Sequence, residues 1–291
     1  MMNTSSITLI TFLSFLLCST AAARTSESHP QRIISLAPSI TKSLYLLGLE
    51  KEVVAVTVYC PIRAKEKEKI GTVLEPNIEK IVSLNPGLII ASKEGNLPQP
   101  IEKLRKLGLK VYVMDQADSF NGICKEFVKL GKITGREEKS FKIVSESRKR
   151  IESLSAKIKA VKHPSIFWQI SSKPIFTASS RSFINDFIEF AGGRNVFADL
   201  KQRHPQVSRE EIITRNPDIM IITAMGAESA EVVKSWQKFP ELNAVRNGNI
   251  FVVEDDLFSE PTPVAIAQGS EMIFNLIDSA KSLKKGVSKK H

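Results

Sequence analysis

Short apolar runs alternate with stretches in which apolar residues recur every three or four positions, and the alternation continues along most of the chain. In the first half the runs 33–36, 53–58, 88–91 and 111–114 predict strands, being too short for helices and rich in Ile and Val. Helical spacing predicts helices over 39–47, closed by Gly48, over 78–84, and over 99–107, closed by Gly108. The second half repeats the scheme, with strands at 166–170, 219–223 and 250–253 and helices over 182–191, 209–214, 231–236 and 264–280. Strands separated by helices of this length predict parallel sheets with crossover connections, hence an α/β fold, and two sheets rather than one. Trp168 falls inside a predicted strand and is expected in the core rather than against a ligand.

Between the halves, residues 137–161 contain no Pro or Gly and set Ile143, Val144, Ile151, Leu154 and Ile158 at helical spacing among charged and polar residues. The pattern predicts a helix of about 25 residues, about 37 Å long. An ordinary surface helix would look the same, but its place between two α/β halves favours a rigid connector. A gapless internal repeat supports related lobes: 77–90 lies over 208–221, each a capping residue, a short helix, an Asn-Pro pair and a strand. Helix, Asn-Pro, strand is a common α/β turn, yet the added match of Glu79 with Glu210 and Ile81 with Ile212 argues for relatedness. It puts the two glutamates at equivalent helix starts, where the helix dipole favours a carboxylate.

The N-terminus departs from this pattern. Residues 7–17 are apolar, too few to span a bilayer, and are followed by small residues ending in Ala21, Ala22 and Ala23. Residues 1–23 are therefore expected to be a cleaved secretory signal. Cys18 follows Leu17 rather than a small residue, so lipid attachment there is not expected. The expected organisation is signal 1–23, N-terminal α/β lobe 24–134, connecting helix 135–162, and C-terminal α/β lobe 163–291 with a basic tail. Export makes nucleic acid an unfavourable partner for the formal charge of +10, and much of that charge sits in the tail and the midpoint helix, away from the strand ends. Of three cysteines, Cys60 and Cys124 remain after cleavage, and whether they pair is left open by the sequence. The four histidines and three cysteines show no zinc-ligand spacing.

In open α/β sheets ligands bind beyond the carboxyl ends of the strands. The residues there are Ala37 to Ser39, Tyr59 to Pro61, Ser92 to Asn96, Asp115 to Ala117, Ser171 and Ser172, Thr223 to Met225, and Glu254 to Phe258. None forms a nucleophile–base pair, and there is no phosphate loop, Ser-centred elbow or His-Glu metal helix. Ser39 and Ser208 are better explained as helix caps than as nucleophiles. A cleft without reaction chemistry is the expectation.

Residues 32–39, Tyr59-Cys60-Pro61, 77–81 with Asn85-Pro86, the midpoint helix and the stretch 205–210 together resemble the periplasmic binding proteins whose lobes are joined by a backbone helix. The stretch 205–210 and residues 176–179 are similar to the cobalamin receptors within that superfamily. The resemblance implies two Rossmann-like α/β lobes with parallel sheets, one long backbone helix, and a ligand cleft between the lobes. It also implies a monomeric periplasmic receptor, without catalysis or a cofactor of its own, that delivers a metal chelate to an ABC permease and its ATPase. A corrinoid is the first choice of ligand, with haem or a ferric siderophore as the alternative. Glu79 and Glu210 match the two glutamates with which such receptors dock onto permease arginines. The expected ligand-contact set is Pro38, Ser39, Tyr59, Ser92, Glu94, Gly95, Ile170, His204, Asp256 and Phe258. Tyr59 and His204, from opposite lobes, are candidate axial ligands to the metal. The chain departs from the cobalamin receptors where tryptophans enclose the corrin, since Val73, Ser92 and His204 stand there, and Glu260 replaces an arginine near Asp256. Metal-cluster oxidoreductases and chelatases share the architecture, but they need cysteine clusters or several cleft histidines. An exported adhesion or signalling module is a third class.

Overall fold

The computed structural model describes residues 30–60, 64–158, 163–223, 227–253 and 255–287. The expected signal, Cys18 and the last tail residues lie outside the described residues.

The N-terminal lobe runs β1 (Ile33–Ser35), α1 (Pro38–Leu46), β2 (Val53–Val56), β3 (Glu68–Lys69), α2 (Ile78–Ser83), β4 (Leu88–Ser92), α3 (Pro98–Lys106), β5 (Val111–Met114) and α4 (Phe120–Ile133). Helix α5 (Glu137–Lys157) leads to the second lobe, which begins β6 (Ser165–Gln169), β7 (Ser171–Ser172), β8 (Ile175–Phe176), α6 (Phe183–Phe190), β9 (Arg194–Asn195) and α7 (Arg209–Arg215). It ends with β10 (Ile219–Thr223), α8 (Ala227–Trp236), α9 (Asn243–Arg246), β11 (Ile250–Val253), α10 (Asp255–Ser259) and α11 (Pro263–Val287). One sheet has the order β3-β2-β1-β4-β5, the other β11-β10-β6-β9, and every pairing within them is parallel. The two-sheet expectation holds.

Because side chains alternate across a strand, each sheet feeds two cores. Ile33, Leu88 and Ile90 enter one apolar cluster while Ile34, Ile89 and Ala91 enter another on the opposite face. In the second lobe Ile166, Trp168, Ile219 and Ile221 share the first lobe's cluster, and Phe167, Met220 and Ile222 form a third. The shared cluster passes through Phe127 of α4, Val144 and Ile151 of α5, Phe187 of α6 and Ile266 and Ile273 of α11. The lobes are thus joined by continuous apolar packing as well as by the chain.

The internal repeat is borne out in backbone detail. Asn77 and Ser208 cap α2 and α7 by accepting from Lys80 N and Glu211 N. Asn85 and Asn216, each just before its proline, share the left-handed conformation at φ 44° and 42°, which Asn tolerates better than most residues.

Three expectations need correction. Ala37 occupies the N-cap of α1 with Pro38 behind it, so Ser39 lies inside the first turn and is no cap. The midpoint helix stops at Lys157 because Ile158 turns extended. Helix α4 is unanticipated, since Gly122 and Gly131 lower its intrinsic propensity. A Cβ on Gly131 would lie 2.4 Å from Ser140 Oγ, so the glycine admits α5 to close contact.

Cys60 and Cys124 are both free. Cys60 Sγ lies 3.1 Å from Thr41 Oγ1 and 3.2 Å from Thr57 Oγ1, while burial pushes the Cys124 thiol up to about 11. Reductant is expected to leave the melting midpoint of the mature protein unchanged; losing a disulfide would lower it by roughly 4 °C or more.

Candidate ligand cleft

On the N-terminal wall one side chain organises three strand ends. Asn96 Nδ2 donates to the carbonyls of Leu36 at 3.0 Å and Val73 at 2.7 Å, and its Oδ1 accepts from Ser92 N at 2.7 Å. The loops after β1, β3 and β4 are thereby tied together. Ser92 Oγ accepts from Glu94 N at 3.3 Å, and Gly95 lies where a Cβ would approach Val73 Cγ1 to 3.0 Å. Val58 (45% exposed), Tyr59 (68%), Leu74 (55%) and Leu97 (44%) are exposed on the loops that follow β2, β3 and β4.

The opposite wall is built from the two stretches that resemble the cobalamin receptors. Val207 N donates to Ile175 O at 3.1 Å, Thr177 N to Pro205 O at 3.0 Å and Ser179 N to Arg203 O at 3.1 Å. This irregular ladder fixes residues 203–207 beside the β7–β8 hairpin, which Ile170 enters by donating to Phe176 O at 2.8 Å. His204 Nε2 lies 3.0 Å from Ser182 Oγ, the N-cap of α6. Burial, followed by the charge of Arg203, holds the His204 imidazole below its usual range, so it is neutral at pH 7. Metal ligation through Nε2 would require giving up the Ser182 contact. Arg203, absent from the expected set, reaches across to Glu94 Oε1 at 2.6 Å, Asp118 Oδ1 at 3.1 Å and the Ala117 carbonyl at 3.2 Å.

Phe258 departs from its expected role. It is 2% exposed and packs its ring 5.1 Å from Trp168 and 4.9 Å from Phe187, so it belongs to the core. Asp256 lies in α10, and its side chain is outside the described residues. Trp168, fully buried, has the core role expected of it.

Between the walls is a cavity of about 60 Å³ lined by Ser39, Ser92, Glu94 and Ala117 from one lobe and Pro261 and Pro263 from the other. Ligand pockets commonly have roughly 300 Å³ or more, so this cavity by itself is too small for a large ligand. A second cavity, of about 330 Å³, lies between the β7–β8 hairpin and helices α7 and α8, lined by Gln169, Arg209 and Trp236 and by none of the expected ligand residues. Among the described residues no group of three or more His, Cys, Asp or Glu could hold a metal ion.

Glu79 and Glu210 both lie exposed in the first turns of α2 and α7. The backbone N–H of Glu210 and the Ser208 hydroxyl hold the Glu210 carboxyl below its usual range, keeping it charged.

A part-buried contact also ties the lobes: Asp186 of α6 accepts from Phe120 N at the start of α4. Burial pushes the Asp186 carboxyl up to about 6 from 3.8, partly opposed by that hydrogen bond. A folded-state value above the unfolded one contributes stability that is complete below about 3.8 and lost as pH rises through about 6. Asp186→Asn is therefore expected to exceed wild type in stability at pH 7 by about 1–3 kcal/mol and to lose the advantage at pH 4. Urea melts at the two pH values check this, and the opposite order would mean that the hydrogen bond outweighs burial.

Comparison with known proteins gives a consistent result. The family model for periplasmic binding proteins matches residues 33–257. A vitamin B12-binding protein of Vibrio cholerae is 33% identical over 235 residues, covering 80% of this chain and 84% of that one. The crystal structure of the periplasmic vitamin B12 binding protein of Vibrio cholerae superposes with a TM-score of 0.74 at 31% identity, covering 87% of this chain and 98% of that one. That of a possible iron-binding (periplasmic solute-binding) protein from Staphylococcus epidermidis gives 0.76 at 31% identity, covering 86% and 99%. With its two parallel-sheet lobes, shared core and cleft, the chain belongs to the periplasmic binding protein family.

Proposed function

We propose that the chain is the substrate-binding component of an ABC importer, exported by its 1–23 signal, that captures cobalamin or a related corrinoid between its lobes and delivers it to a membrane permease and its ATPase. The observation that carries this reading is the pair of facing walls, Asn96 tying the loops after β1, β3 and β4 on one lobe and residues 203–207 on the other, bridged by Arg203 to Glu94 at 2.6 Å. Polar groups on both walls, with the exposed Tyr59 ring on the loop after β2, suit a broad chelate with apolar faces and hydrogen-bonding edges. The vitamin B12-binding relatives at 31–33% identity support the choice of corrinoid. The protein acts as a monomer by binding alone, since the cleft residues Pro38, Ser39, Tyr59, Ser92, Glu94, Gly95, Ile170 and His204 offer contacts and no reaction. Glu79 and Glu210, one on each lobe, are the docking residues for permease arginines. The lobes divide at 24–134 and 163–291 about the 135–162 connector, and the continuous apolar packing through α5 keeps their separation nearly fixed.

A second reading, haem or another iron chelate, is favoured by the likeness to the Staphylococcus epidermidis protein and by the exposed phenol of Tyr59. Absorbance titration of the purified mature protein separates the two. Saturable spectral change with cyanocobalamin and none in the Soret band with hemin is expected; a Soret shift lost in Tyr59→Ala or His204→Ala would replace the corrinoid with haem.

A further inference from the structure

Charges of opposite sign cross the cleft in both directions. Arg203 reaches from the second lobe to Glu94, Asp118 and the Ala117 carbonyl, and Lys42 of α1 lies 3.7 Å from Glu260, next to the cavity-lining Pro261. The Arg203 side chain is only 15% exposed, against 45% for Glu94 and 55% for Asp118. It also lies over the Phe183 ring, with the guanidinium carbon 5.6 Å from the centroid. A guanidinium stays charged at any working pH, so this half-enclosed cation always needs an anion. Its present set is imperfect. Nε comes within 3.1 Å of Asp118 Oδ1 but makes no aligned hydrogen bond among the described residues. Glu94 and Ala117 also line the small cavity, so whatever occupies the cleft meets Arg203's partners first.

We propose that Arg203, Glu94 and Asp118 form an inter-lobe latch that spans the cleft in the ligand-free protein and is exchanged for ligand contacts, and that it thereby selects ligands by charge. The inference rests on the chelate-binding reading. Once the latch opens, Glu94 and Asp118 face the ligand without their cation, while the neighbouring Asp115 keeps Lys129 at 3.4 Å. Two carboxylates on one wall accept N–H donors such as peripheral amides and repel a dicarboxylate. On the other wall Arg203 receives a single anion, such as a phosphodiester. A chelate fringed with amides and carrying one phosphate fits this division; one carrying two carboxylates does not.

Two measurements on the mature protein test it. In Arg203→Gln without ligand, amide hydrogen exchange in the opposite-lobe loops 92–96 and 115–118 is expected to speed up severalfold; unchanged exchange overturns the latch, whatever the ligand is. In stopped-flow binding, Glu94→Gln with Asp118→Asn is expected to raise the association rate with cyanocobalamin about two- to tenfold and to bring in a saturable Soret change with hemin that wild type lacks. A double variant that still gives no Soret change with hemin overturns the charge selection. If wild type binds neither probe while the exchange effect is present, the chelate reading and the selection fall and the latch stands.

Discussion

Replacing Glu79 and Glu210 together with alanine is expected to cut ligand uptake at limiting ligand by at least about tenfold while leaving ligand affinity unchanged. Both carboxylates lie in exposed first turns, outside the cleft and its apolar clusters, so their loss removes no packing. An exposed ion pair contributes only about 0.2–1 kcal/mol, which alone would make two of them orienting contacts. Docking, however, takes water from both partners, and an arginine left unpaired in a formed interface costs about 2–5 kcal/mol. Either single variant is expected to fall between wild type and the pair. Uptake by cells carrying the variants, set beside binding by the purified proteins, separates delivery from capture; unimpaired uptake in the double variant would favour an adhesion or signalling module.

Trp168→Ala is expected to destabilise the protein by about 3–5 kcal/mol, lowering the melting midpoint by roughly 6–20 °C. The indole is fully buried in β6, lies 5.9 Å from Phe187 in a stacked arrangement and 5.1 Å from Phe258, and donates to Thr223 Oγ1 at 2.7 Å. Truncation leaves a cavity at the centre of the cluster that joins both lobes. Trp168→Phe retains most of the volume and is expected to cost far less. Thermal melts of the two variants decide the matter: a Trp168→Ala protein of normal stability with weakened ligand binding would return the indole to the cleft.

The elements that could be read from the sequence are those whose burial is written in local order. Strands β5, β10 and β11 match their apolar runs residue for residue: β10 is buried along nearly its whole length, while β5 and β11 are half-buried edge strands whose runs of Ile, Val and aromatic residues still favour extended backbone. The repeat was legible because capping and Asn-Pro chemistry are local. Helix α4 was not, since its two glycines obscure a helix that tertiary packing stabilises. The two-residue strands β3, β7, β8 and β9 are too short to leave a period.

The site divides in the same way. Tyr59 and Ser92 could be assigned to strand ends because the strands before them are legible, and it is at strand ends that ligands bind in this kind of fold. Phe258 shares that address, but its ring turns into the core, and nothing in its neighbours announces the turn. Arg203 was missed because its partner Glu94 is 109 residues away and on the other lobe. Asn96 looked like an ordinary loop residue until three strand ends were seen to converge on it.

Capture of a corrinoid between the lobes is tested most directly by isothermal titration of the mature protein with cyanocobalamin, in wild type and Tyr59→Ala. The expected result is one site per chain, with an affinity that falls about tenfold or more when the exposed ring is removed. Absence of binding heat in wild type across several temperatures, or an affinity untouched by Tyr59→Ala, would contradict it.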